Sequence, residues 1–452
     1  MAVKTYFVCT NCGAQTTKWY GRCPECGEWN TLQEETVQSK PSVSKKASAK
    51  AGSARTVSLD EVTSDSDIRY TTGIEEFDRV LGGGIVEGSV ILLGGEPGAG
   101  KSTLLLQLCG NVCGQAKVLY ISGEESSSQI KLRAKRLGID THNLLIANET
   151  DISSVINTVR EHRHDLCIID SIQTMEVDGI PSSAGSVAQV RESASALTRC
   201  AKAEGIPMII VGHVNKDGAI AGPKVMEHIV DTVLYLEGDR YLALRILRSA
   251  KNRYGSTSEI GIFDMTDKGL FGIANPSMLL LEGAVTDTPG SCVTCVMEGS
   301  RPIMAEIQAL TTKSNFSVPR RTADGLDFNR ANLLIAVIEK RGGYVLSALD
   351  VYLNVIGGLN INDTASDLAV ASSIVSSLLD KTIPAGTVIF GELGLGGEVR
   401  TVSDAEKRVS EAEKLGFTRC VLPASSLRKL NASRYSMELI GISNITEIKK
   451  VF

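Results

Sequence analysis

The sequence predicts an α/β protein of several domains, built around a mainly parallel sheet. Three observations lead there. Between Thr71 and residue 272 short apolar runs alternate with helical stretches, and apolar strands joined by crossover helices make a parallel sheet covered on both faces. The first 32 residues hold two CxxC pairs and both tryptophans, a module apart. After Asn275-Pro276 a strand pair and an amphipathic helix replace that alternation, as in an α+β domain.

A chain of 452 residues is too long for one ordinary core and implies two to three domains of ~100 to 200 residues. Residues 1–32 form the cysteine module. Residues 33–58, rich in Ser, Lys and Ala, cannot offset their own ordering entropy and are expected to be a flexible tether. Residues 59–272 carry the runs SVILLGG, VLYISG, LLIAN, DLCIID, PMIIVGH and TVLYLEG. Between them, helical spacing over Glu124–Leu137 and Val187–Glu204 stops at Gly138 and Gly205, where a left-handed cap is needed. Residues 275–452 make the last domain, with a strand pair over GSCVTCVMEGSRPIMAEIQAL and helices over Asn329–Arg341 and Asp363–Leu379.

Hydrophobic residues at 43% and charged ones at 22% exclude wholesale disorder. A net charge of −5 argues against coating nucleic acid by bulk charge, so any such contact must be a local basic stripe. No apolar run reaches signal-peptide or membrane-spanning length, which predicts a cytoplasmic protein without membrane contact. In such a chain the eleven cysteines are expected to be metal ligands or buried thiols rather than disulfides.

Cys9 and Cys12 form one CxxC knuckle, Cys23 and Cys26 a second. Two knuckles supply four sulfurs in tetrahedral geometry around Zn²⁺, a closed and therefore structural site. Cys292 and Cys295 form a lone third pair, expected to be core thiols of a strand.

The stretch GEPGAGKS fits GxxxxGK(S/T), directly after an apolar strand and before a helix. Gly95, Glu96, Pro97, Gly98, Ala99, Gly100, Lys101, Ser102 and Thr103 are the expected nucleotide-binding residues. The glycines let backbone N–H groups of the loop curl round the phosphates of ATP, Lys101 reaches the β- and γ-phosphates, and the Ser102 hydroxyl ligates Mg²⁺. Asp170 ends the strand DLCIID, where the Mg²⁺ shell needs a carboxylate. Glu124 closes another strand and is the candidate base that orients the attacking water, with Glu125 as its rival. Either could instead be a first-turn helix acid. His213 ends PMIIVGH at the edge of a Gly-rich loop, placed to sense the γ-phosphate.

Taken together these residues resemble the RecA-like ATPase core, and with the zinc module and KNRYG (Lys251–Gly255) they resemble the bacterial RadA (Sms) family. That family carries KNRFG, so Tyr254 keeps the aromatic ring. The resemblance implies a DNA-dependent ATPase driving branch migration in recombination and DNA-damage repair. It also implies binding of single-stranded DNA and branched intermediates, partnership with RecA recombinase, and a homo-oligomeric, hexameric ring. By the same likeness the loops after Asp170 and His213 face DNA, with Lys216 and Lys224 as phosphate contacts. Lys251 and Arg253 are candidate catalytic cations, Lys251 acting in trans at the subunit interface. Flanking Asn252 on an extended segment, the two are expected to point opposite ways.

The C-terminal domain resembles that of Lon protease, whose serine and lysine form a catalytic dyad. Here Ala365 falls at the nucleophile position, Asp367 at the neighbouring glycine and Glu406 at the lysine, with Ser366 and Lys407 each one residue off. Without an aligned nucleophile and base, proteolysis has no mechanism. A scaffold or DNA platform is expected instead, with Arg320, Arg321, Arg330, Lys340 and Arg341 as its basic surface. The alternatives are an ATP-dependent protease and a non-motor adaptor whose ATP only switches ring assembly.

Overall fold

In the computed structural model, residues 3–9, 15–25, 27–38, 69–139, 141–213, 226–238, 244–283 and 288–452 are described. Cys12, Cys26, Lys216 and Lys224 lie outside them, as do residues 39–58 of the expected tether. Residues 33–38 do not belong to a tether. They extend the strand Leu32–Gln38, which pairs antiparallel with Val3–Cys9 along its whole length. Ladder hydrogen bonds to a partner strand override a composition that favours disorder.

One compact unit holds the described residues up to Gly238 and again to Ile273, and a second begins at Ala274. Nine strands form the first unit's main sheet. Six run parallel, in the spatial order Thr232–Gly238, Val90–Gly95, Met208–Val211, Leu166–Asp170, Val118–Ser122 and Leu144–Asn148. Leu244–Asn252, Ile260–Thr266 and Gly269–Gly272 add an antiparallel meander at one edge. Short turns rather than crossover helices join these last strands, and a turn can only reverse the chain.

Alternation along the buried strands feeds two cores. Ile91 and Leu93 pack with Leu104, Leu105 and Leu108 of the helix Lys101–Val112. Val90 and Leu92 pack with Val155 of Ile152–Glu161 and Val190 and Leu197 of Val187–Glu204. Each such side chain, fully buried, contributes roughly 1.5–3 kcal/mol.

Gly138 and Gly205 end their helices in the left-handed conformation, as their positions predict. The first of these helices starts later than expected, at Ser127. The Ser126 hydroxyl accepts from the Gln129 N–H, and the Gln129 side chain accepts from the Ser126 N–H in return. This reciprocal cap leaves Glu124 and Glu125 in the preceding turn, not in the helix.

The second unit has a seven-stranded sheet containing the expected hairpin, Ser291–Glu298 with Arg301–Lys313. Cys292 and Cys295 are buried in its first strand, and burial raises both thiols' pKa values. The helix expected over Asp363–Leu379 opens as a 3₁₀ turn, Thr364–Ser366, before the α-helix Asp367–Leu379. Asp363 caps the turn by accepting from the Ala365 N–H, and its other oxygen accepts from the Met297 N–H and Arg408.

Arg408 is fully buried. It donates to Asp363 (2.7 Å), to the Ser403 carbonyl (3.0 Å) and to the Cys295 carbonyl, joining a strand, a helix start and its own helix. Removing one partner of a buried pair costs about 3–5 kcal/mol. Arg408→Leu should therefore lower this unit's stability by about that amount in urea unfolding; a loss under ~1 kcal/mol would show the pair is not an anchor.

Candidate functional site

The phosphate loop begins where the central strand ends. A Cβ on Gly95 would lie 2.5 Å from the Leu236 carbonyl of the neighbouring strand, so only glycine lets the chain turn there. The helix Lys101–Val112 follows at once and has no acid in its first turn. Its free N–H groups and dipole are left to favour an anion. Ser102 and Thr103 lie in that turn beside Lys101.

Lys101 is buried, and its ammonium donates to the carbonyls of Gly95 (2.7 Å) and Glu96 (2.9 Å). Burial lowers its pKa, opposed by the charges of Asp170 and Glu124. Two acids thus face the lysine from outside the loop.

Asp170 ends the strand Leu166–Asp170, in register with Ser122 on the next strand, and accepts from the Tyr120 hydroxyl (2.5 Å). Past Ser122 the chain turns at Gly123, whose Cβ would fall 2.0 Å from Thr174 Oγ1. Glycine lets the turn carrying Glu124 press against residues 171–174. There Glu124 Oε1 accepts from Ser171 Oγ (2.5 Å) and lies 3.3 Å from His213 Nε2. The His213 hydrogen bond, helped by Ser171 and by the charge on Lys101, holds the Glu124 carboxyl down at about 2 against the effect of burial.

Glu125 faces elsewhere: its carboxylate pairs with Arg133 at 2.5 Å. Of the two rivals, Glu124 is the one gathered with Lys101 and Ser171. Sequence reasoning missed Ser171 and Gln173. Their signal was position, since polar residues just past a buried strand end on the binding edge of a parallel sheet. Gln173 donates to the His213 carbonyl at 3.4 Å. Its buried Oε1 and the buried Nδ1 of His213 have no partner among the described residues. A loop shaped by Gly95, the acid-free helix start behind it and the Lys101 ammonium fit a phosphorylated ligand.

Lys251 and Arg253 do not point opposite ways. Residues two apart on a strand share a face, and both side chains reach the same segment, 227–231. Lys251 donates to the carbonyls of Glu227 (2.6 Å) and Val230 (2.7 Å), while Arg253 pairs with buried Asp231 at 2.8 Å. Between them Asn252 donates to the carbonyls of Val80 and Leu81.

In the ribbon, Cys9 and Cys23 come from separate knuckles yet are buried in one cluster with Leu32 and Phe7. The Gly27 N–H closes the second knuckle onto the Cys23 carbonyl (3.0 Å). Two thiols converging from two knuckles fit a shared metal.

In the second unit Ser366 Oγ is buried and donates to the Asp363 carbonyl (2.9 Å). Lys407 pairs with Asp404 (3.1 Å) and Glu406 with Arg434 (3.1 Å). Each candidate for a dyad is thus engaged elsewhere. The expected basic surface is also reduced. Arg330 is bound to buried Asp367, and Arg321 donates to the carbonyls of Leu346 and Leu349.

Three family descriptions match along the chain: a rubredoxin metal binding domain over residues 7–34, an AAA domain over 54–219, and subunit ChlI of Mg-chelatase over 333–426. The DNA repair protein RadA of Bacillus subtilis is 47% identical, covering 98% of this chain and 97% of its own. That of Escherichia coli is 44% identical over 100% and 99%. The chain belongs to the RadA family of DNA repair proteins. It joins a metal-binding ribbon, a RecA-like ATPase core and a C-terminal ChlI/Lon-like domain. A KaiC-like protein from Pyrococcus horikoshii OT3 aligns with 46% of this chain and 99% of its own, at 20% identity and a TM-score of 0.39. No helix among the described residues is long and apolar enough to cross a membrane.

The His213 and Ser171 contacts hold the Glu124 carboxyl well below its ordinary 4.5. Its contacts therefore add stability above pH ~4.5 that is lost as pH falls toward ~2. Thermal melts should show His213→Ala less stable than wild type at pH 5, with the gap narrowing toward pH 2.5. A gap that stays constant would contradict the pairing.

Proposed function

We propose that this chain is an ATP-driven DNA motor that binds single-stranded DNA and moves branched recombination intermediates, working with RecA recombinase as a hexameric ring in the cytoplasm. The observation that carries it is the cluster of Glu124, Ser171 and His213 beside Lys101 and Asp170. A carboxylate gathered with a histidine at the mouth of a phosphate loop suits hydrolysis that a neighbouring loop can gate.

Backbone N–H groups of the residues from Gly95 to Thr103 other than Pro97 hold the phosphates, and Lys101 exchanges its loop carbonyls for them. Ser102 and Asp170 supply oxygens for Mg²⁺. When bound, Mg·ATP supplies the electrophilic phosphorus and the leaving group. Glu124 orients water for in-line attack and takes its proton, while His213 couples Glu124 to the loop bearing Lys216 and Lys224. Lys251 is the trans cation: its partners are two neutral carbonyls, which it can trade for a phosphate more cheaply than Arg253 can leave buried Asp231. Cys9, Cys12, Cys23 and Cys26 hold one structural Zn²⁺.

Single-stranded DNA should raise the ATPase rate of the wild type. Lys101→Ala should lose that activity, and Glu124→Gln should still bind ATP while turning over about 10²–10⁴-fold more slowly. A rate indifferent to DNA would rule out the motor and leave an adaptor.

Within this reading the second unit has no peptidase activity. Casein should stay intact with ATP present, and Ser366→Ala should leave ATPase and DNA activities unchanged. Cleavage abolished by Ser366→Ala would reverse this.

A further inference from the structure

Trp19 and Trp29 are the chain's two tryptophans, and both stand on the ribbon facing solvent. They are 56% and 68% exposed, and Tyr20 between them is 49% exposed. A Cβ on Gly21 would touch both indoles, at 3.8 and 3.7 Å, so the two rings flank that glycine. Trp29 is held by its neighbours. Arg22 and Trp29 face each other across a short antiparallel bridge, closed by the N–H groups of Asn30 and Cys23. The Arg22 guanidinium lies 5.9 Å from the Trp29 ring and is tied to the Gly27 carbonyl (2.6 Å). Lone exposed aromatics need no explanation, but three around one glycine on so small a module form a patch.

The neighbouring charge indicates the occupant. Lys18, beside Trp19, is exposed and has no side-chain partner among the described residues, while Glu25, Glu28 and Glu34 are the exposed acids of the same ribbon. Beyond Glu34 and Glu35 in the sequence, residues 36–59 carry four lysines and one arginine with no acid. A basic peptide would be repelled by that run, and a duplex hides its base faces. Single-stranded nucleic acid offers both a phosphate backbone for the cations and flat bases for the indoles.

We propose that Trp19, Tyr20 and Trp29 form a base-stacking platform for single-stranded DNA. The site is separate from the ATPase cluster, although DNA as its ligand rests on the motor reading.

Indole emission of the full-length protein reports this patch alone, because no other tryptophan exists. Oligo(dT) should quench it, whereas an abasic oligonucleotide of equal length and a blunt duplex should not. Trp19→Ala should shift the quenching midpoint, read from Trp29, about 5- to 100-fold higher, and Trp19→Phe should restore most of it. Unchanged emission while oligo(dT) still stimulates ATPase would overturn the platform and spare the motor. Equal quenching by the abasic strand would also overturn it, as would quenching only by an added protein. Quenching by oligo(dT) without any ATPase stimulation would support the platform and count against the motor.

Discussion

Val90–Gly95 is hydrogen-bonded on both edges, to Met208–Val211 and to Thr232–Gly238, and is buried on both faces. A strand so enclosed has one outlet, its C-terminal end. The loop from Gly95 and the segments leaving Val211 and Asp170 therefore open on the same edge of the sheet. Phosphate loop, His213 and Asp170 are neighbours because their strands are parallel, and a single antiparallel strand among them would have sent one to the far edge.

At the other end of that strand a buried carboxylate makes a second constraint. Asp231 accepts from the Val90 N–H (3.1 Å), Arg253 (2.8 Å) and Lys202 (3.4 Å). Charge this deep persists only where it is paired and hydrogen-bonded. Through it KNRYG is fastened to the start of the central strand, while Asn252 reaches the end of the helix Glu75–Leu81. The motif is a structural clasp as well as a pair of cations, and a substitution in it acts on both.

The second unit puts ion pairs where a protease would keep its chemistry. Arg330 and the Leu393 N–H hold Asp367, and Arg408 holds Asp363, all around the turn that carries Ser366. Desolvation raises the Asp367 pKa even against the opposing hydrogen bond from Arg330. In this turn the Ser366 hydroxyl donates its proton to the Asp363 carbonyl.

By itself the sequence determined what repeats or sits at fixed spacing. The strand runs, the glycine caps at Gly138 and Gly205 and the phosphate loop are local, because backbone geometry and hydrophobic alternation act over a few residues. It also placed Glu124, Asp170 and His213 at strand ends, which a parallel sheet collects on one edge. Tertiary structure alone decided which glutamate faces Lys101, since a capping box at Ser126 stops the helix and sends Glu125 to Arg133. It brought Ser171 to Glu124 and made Arg408 and Asp363 partners across 45 residues. Such pairs leave no periodic trace: what fixes them is the cost of burying a charge alone, which is felt only once the chain has closed around it.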